Sequence, residues 1–133
     1  MVAVSTLPEQ RLSFGTLEVI APQIFEVIVD EGVEMNLRMV GEYHAALNQL
    51  RAGRSYRLLV NKRNTYTYTF EAQQALLDLA GLEVCAVVAE TAGGTLGTRS
   101  LLSVGGHGRP LAYEVRLFSA RAPALEWLKS CAP

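Results

Sequence analysis

The chain has 133 residues, half of them hydrophobic and 19% charged, the mix of a globular domain and not of a disordered one. That length is one domain's worth and buries enough surface for a single core without metal or disulfide staples. Twelve basic residues face thirteen acidic ones, so no global field draws the chain to nucleic acid or anionic lipid, while near-neutrality favours self-association.

Met1–Leu12 is polar, holds Pro8 and reads as a lead-in, with the domain proper running from residue 13 to residue 133. It lacks the basic region followed by an apolar core that marks a signal peptide. No apolar stretch approaches the roughly 18 residues of a membrane span, so a cytoplasmic protein is expected. Phe14–Ile20 and Ile24–Asp30 carry the alternation and the β-branched and aromatic residues of strands. Their short connection through Ala21-Pro22 makes them an antiparallel hairpin. Met35, Met39, Tyr43, Ala46, Leu47 and Leu50 then recur at steps of three and four, which predicts a helix from Glu34 to Arg51 closed by Gly53.

From there one pattern comes three times: a short apolar run, a turn, an amphipathic helix. The runs are Tyr56–Asn61, Val84–Glu90 and Tyr113–Ser119, and the helices Phe70–Ala80, Thr91–Val104 and Pro123–Lys129. Strands alternating with helices at this spacing imply parallel pairing with helices on the faces. The predicted fold is therefore α/β in a single domain, with a mixed four- or five-stranded sheet, an N-terminal β-hairpin and about four helices.

Candidate functional residues are sparse. Lys62–Thr69, KRNTYTYT, is a polar loop with two tyrosines and three threonines at the exit of a strand, where ligands gather in parallel α/β sheets. Lys62, Tyr66, Thr67, Tyr68 and Thr69 form the candidate interaction or phosphoacceptor segment, and Thr69 is also placed to cap the next helix. Gly93, Gly94 and Gly97 suit a helix that packs closely on the sheet or on a neighbouring subunit; the segment lacks the Gly-Lys-Ser/Thr ending of a phosphate loop. His44 and His107 are the two histidines, the first at the border of the apolar stripe and the second among glycines. Cys85 and Cys131 stand apart, with no CxxC and no metal-ligand spacing, and read as reduced thiols. No nucleophile has an evident base and no carboxylate pair marks acid–base work. No catalytic residue, metal site or cofactor is assigned.

The order strand, strand, helix and three strand–helix units, together with Tyr56-Arg57-Leu58-Leu59-Val60-Asn61, Thr69-Phe70-Glu71-Ala72-Gln73, Ala86-Val87-Val88, Val115-Arg116-Leu117-Phe118 and Ala124-Leu125-Glu126-Trp127-Leu128-Lys129, resembles the STAS-like (SpoIIAA-like) proteins. The chain looks most like a branch of small bacterial members without assigned function. The resemblance spans roughly residues 14 to 129. It implies a helix-covered mixed sheet, no catalysis, and docking to other proteins. In the characterised antagonists a serine at the start of the helix after the third strand is phosphorylated by a partner kinase. The matching place here is Thr67–Thr69, where threonine and tyrosine stand in place of the usual Asp-Ser pair.

Two functions fit. The first is a non-catalytic cytoplasmic interaction module with an unidentified protein partner, or a homodimer, and no nucleic-acid or membrane partner. The alternative is a carrier or sensor of a small apolar ligand in a pocket like that of the CRAL-TRIO-like proteins. An enzyme is not expected.

Overall fold

A computed structural model of the chain describes residues 9–76, 79–89 and 113–131. Within them a six-stranded sheet is built from β1 (Glu9–Leu12), β2 (Gly15–Ala21), β3 (Ile24–Val29), β5 (Tyr56–Asn61), β7 (Leu82–Val88) and β8 (Glu114–Phe118), in that spatial order. The first three pair antiparallel; β3, β5, β7 and β8 run parallel. The apolar runs starting at Tyr56, Val84 and Tyr113 thus lie side by side and point the same way, as their alternation with helices requires. A second, two-stranded sheet pairs β4 (Glu34–Met35) with β6 (Thr67–Tyr68) in parallel. Three helices are described: α1 (Leu37–Arg51), α2 (Phe70–Leu76) and α3 (Arg121–Ser130).

Several expectations need correction. The lead-in is not all loose: Glu9–Leu12 adds a strand at the sheet edge, and Leu12 is buried. The sheet therefore has six strands, one or two more than expected. The first helix starts three residues later than predicted. Glu34 and Met35 are extended, and Asn36 is the N-cap, its Oδ1 accepting from the Met39 backbone N–H at 2.9 Å. At its other end the left-handed turn begins at Ala52, φ 51°, one residue before Gly53, φ 79°. The second helix is described over Phe70–Leu76, and Leu79 and Ala80, expected at its end, are not helical. The third of the expected helices, Thr91–Val104, with Gly93, Gly94 and Gly97, lies outside the described residues, as does His107.

The hairpin turn between β2 and β3 is held from outside. Gln23 has a left-handed backbone, φ 58°, and its side-chain amide donates to the Ser55 carbonyl at 2.9 Å. Gly15 fills a second tight place, since a Cβ there would stand 2.1 Å from the Ile28 carbonyl oxygen.

The strand alternation divides the sheet into two faces. Val27, Leu58, Cys85 and Val87 join Val40, Tyr43 and Leu47 of α1 and Ala72 and Leu76 of α2 in one core. Ile24, Leu59, Ala86 and Val88 meet Ala124 and Leu128 of α3 in the other. Arg57 seats α3 by donating from Nη1 to the Leu128 carbonyl at 2.8 Å.

Candidate functional site

The site is built where β5 leaves the sheet. In the run from Tyr56 to Lys62, Leu58, Val60 and Lys62 share one parity, so Lys62 follows the apolar residues onto the α1/α2 face. Its backbone N–H still bonds the Val88 carbonyl at 2.8 Å, which extends the ladder to β7 one step beyond the strand. Lys62 is 5% exposed, although neutral side chains surround it.

The next residues return over this lysine as a strap. Asn64 donates from Nδ2 to the Val29 carbonyl at 2.9 Å, and the Thr65 N–H bonds Glu31 Oε1 at 2.9 Å. The Thr67 and Thr69 N–H groups bond the Val33 and Met35 carbonyls at 3.0 and 2.8 Å. With the backbone extended, Tyr66 and Tyr68 fall on one side and Thr67 on the other. Tyr66 is buried and Tyr68 half-buried, while Thr67 is exposed. The Lys62 Nζ sits 4.8 Å from the centroid of the Tyr66 ring and 5.3 Å from that of Tyr68. The two rings meet edge to face at 5.5 Å, and the Tyr68 hydroxyl donates to the Tyr66 hydroxyl at 3.3 Å.

Beneath the strap lies a partly open cavity of about 70 Å³. Val27, Val60, Leu76 and Val87 supply apolar wall; Lys62, Tyr66 and Tyr68 line the cavity together with Tyr43, Cys85 and Tyr113. Among the described residues no carboxylate pairs with Lys62 and no hydrogen bond ends on its ammonium. Burial alone pulls its pKa from 10.5 down to about 8, because the charged form is desolvated. The ring faces return part of that loss. The other titratable groups here stay neutral around pH 7. Burial pushes Tyr43 and Tyr66 well above 10, and Tyr68 and the Cys85 thiol to about 12. Cys85 is thus a packed thiol and not a nucleophile.

A second buried charge lies on the opposite face. Glu26, 5% exposed, accepts a two-pronged contact from Arg121 at the start of α3, Nη2 to Oε1 at 2.7 Å and Nε to Oε2 at 3.1 Å. Asn61 donates from Nδ2 to Oε2 at 2.9 Å. Burial raises the Glu26 pKa, but the bonds from Arg121 and Asn61 outweigh it and hold the carboxyl below its ordinary range.

The five residues of the candidate segment therefore separate. Lys62, Tyr66 and Tyr68 come together around the cavity. Thr67 faces solvent. Thr69 caps α2, its Oγ1 accepting from the Ala72 N–H at 3.1 Å. Phe70, 67% exposed, is the outward aromatic of the region, and Leu37 at the start of α1 is 56% exposed. The segment expected as a polar loop thus contains the short strand β6; its Thr-Tyr-Thr-Tyr alternation, a half-buried strand's period, is the signal that reading passed over. The Glu26 network had one trace, a carboxylate in an otherwise apolar run. Among the described residues no cluster of three or more His, Cys, Asp or Glu is placed to hold a metal ion, and no helix is long and apolar enough to cross a membrane.

The architecture is that of a SpoIIAA-like fold. The chain is similar in structure to an uncharacterised protein of the DUF3478 family, described as having a SpoIIAA-like fold, from Shewanella loihica PV-4. The TM-score is 0.55 at 14% sequence identity, over 96% of this chain and 98% of that one. No protein-family model and no curated protein matches the sequence.

Proposed function

We propose that the protein is a non-catalytic cytoplasmic binding module that carries or senses a small, largely apolar molecule in the cavity under the Lys62–Thr69 strap. The observation behind this reading is the inward turn of Lys62, Tyr66 and Tyr68 onto an apolar cavity. Small-molecule sites have this composition, mostly apolar wall with a few placed polar groups. Native mass spectrometry on gently purified protein tests it. A retained mass above the bare chain, lost on filling the cavity with Val60→Trp, is the expected result. No retained mass, together with no response to a panel of small apolar compounds in thermal-shift assays, would remove the reading.

A second reading, a docking module for a second copy of the chain, draws on a different observation. Leu37 and Phe70 each follow the paired ends of β4 and β6 by two residues and are, among the described residues, the large hydrophobic side chains left exposed. Sedimentation equilibrium of the wild type against Leu37→Ser/Phe70→Ser is the check. A dimer that the double variant dissolves is expected; a monomer at all concentrations would discard it.

A further inference from the structure

Resting on the cavity reading, we infer that the ligand is a short apolar monocarboxylic acid, its carboxylate met by the Lys62 ammonium and by a Tyr66–Tyr68 hydroxyl, its chain lying against Val60 and Val87. The charge of the site asks for an anion. Lys62 is 95% buried by its 5% exposure, and among the described residues nothing negative reaches it. A buried charge left unpaired is costly, and one opposite charge with good hydrogen bonds offsets that cost.

Tyr66 and Tyr68 line the same cavity as Lys62, and their rings lie against its ammonium. One hydrogen bond joins the two hydroxyls, so it uses one of their two protons and leaves the other to donate. The cavity lining thus holds an excess of donors, an ammonium with three and a phenol with one. A carboxylate accepts from both. An alcohol leaves the charge unpaired, and a cation is repelled.

Charge and size narrow the class further. Among the described residues lining the site, Lys62 is the one cation; the next residue, Arg63, is exposed. A phosphate dianion would be half-compensated, and a monoanion is matched. The volume of about 70 Å³ is under half of the roughly 150 Å³ of a cavity that takes the six carbons of benzene, which limits the chain to about three carbons. Around neutral pH the lysine, with its pKa near 8, is mostly charged, which suits an ion pair. The groups facing it, Tyr66 and Tyr68 on the strap, Tyr43 on α1, Cys85 on β7 and Tyr113 before β8, include no competing carboxylate.

The experiment is a titration of the full chain with butanoate, butan-1-ol and butylamine, followed by amide chemical shifts, for wild type and Lys62→Met. Butanoate is expected to bind wild type about tenfold more tightly than butanol, the factor a charged hydrogen bond supplies, and butylamine not at all. In Lys62→Met the preference for the acid disappears while butanol binding stays. In the wild type alone, butanoate affinity falls as pH rises from 7 to 10 and butanol affinity does not, so the test stands even where the variant fails to fold. Equal affinity for acid and alcohol, or an acid preference that survives Lys62→Met, overturns the carboxylate assignment and leaves the cavity reading intact. Binding of none of the three probes overturns both.

Discussion

The two faces of the sheet each bury a charge within a strand or one residue beyond it, and they treat it in opposite ways. On the α3 face Glu26 is surrounded by donors: two from Arg121, one from Asn61. On the α1/α2 face Lys62 meets two aromatic rings and a cavity. The first arrangement is complete within the chain and fastens α3 to the sheet. The second has no counter-charge among the described residues. A buried charge alone therefore says little about function, and what distinguishes the two is whether the chain supplies the counter-charge.

The largest expected effect is on the satisfied face. Arg121→Met leaves Glu26 buried with Asn61 as its remaining donor. It should cost about 2–3 kcal/mol of unfolding free energy, less than for a fully buried pair because the Arg121 side chain is 44% exposed and screened by solvent. The folded-state pKa of Glu26 is lowered, so its contribution is present at neutral pH and lost as pH falls through that pKa. Urea unfolding should show the gap between wild type and variant at pH 7 and its closure in acid. A variant as stable as wild type at pH 7 would mean the network fastens nothing.

Removing the other charge should act in the opposite direction. A lysine pKa moved from 10.5 to about 8 corresponds to roughly 3 kcal/mol against the folded state at most, and Lys62→Met should regain roughly 1–3 kcal/mol in the ligand-free protein. A Tm below that of wild type would place Lys62 among the structural residues. The same shift sets a pH dependence in the wild type. Between about 8 and 10.5 the unfolded chain binds the proton that the folded chain has released, so stability rises with pH across that window. Lys62→Met should lack this rise.

The smallest expected effect concerns the thiols. Cys131 is half-buried after α3, and Cys85 is buried with its pKa at about 12. Iodoacetamide at pH 8 should modify Cys131 and spare Cys85 until the chain unfolds. Equal rates would mean that the cavity admits solvent and reagent freely.

Much of this comparison was legible in the chain, and unevenly so. The parallel core was plain because buried strands are written as continuous apolar runs, and Tyr56–Asn61 was bounded to the residue. The α3 helix and the Thr69 cap were likewise local signals. The edge strand Glu9–Leu12 was not, because it buries only Leu12 and its order comes from pairing with β2. The start of α1 was misplaced for a related reason: Glu34 and Met35 fit a helix locally, but the Thr67 and Thr69 amides hold the carbonyls around them in an extended ladder. Lys62 was singled out from its position at a strand exit. Its burial depended on the strap closing over it, a contact between segments that no local pattern spells. Glu26 and Arg121, 95 residues apart, have no joint signature in one sequence.

The most direct test is the protonation of one side chain. A heteronuclear NMR titration of the lysine Cε resonances, with Lys62 assigned by its loss in Lys62→Met, should give a midpoint near 8 in the ligand-free protein. A midpoint at the ordinary 10.5 would show an amine that is solvated or already paired, and would contradict the view of this face as a site awaiting its counter-charge.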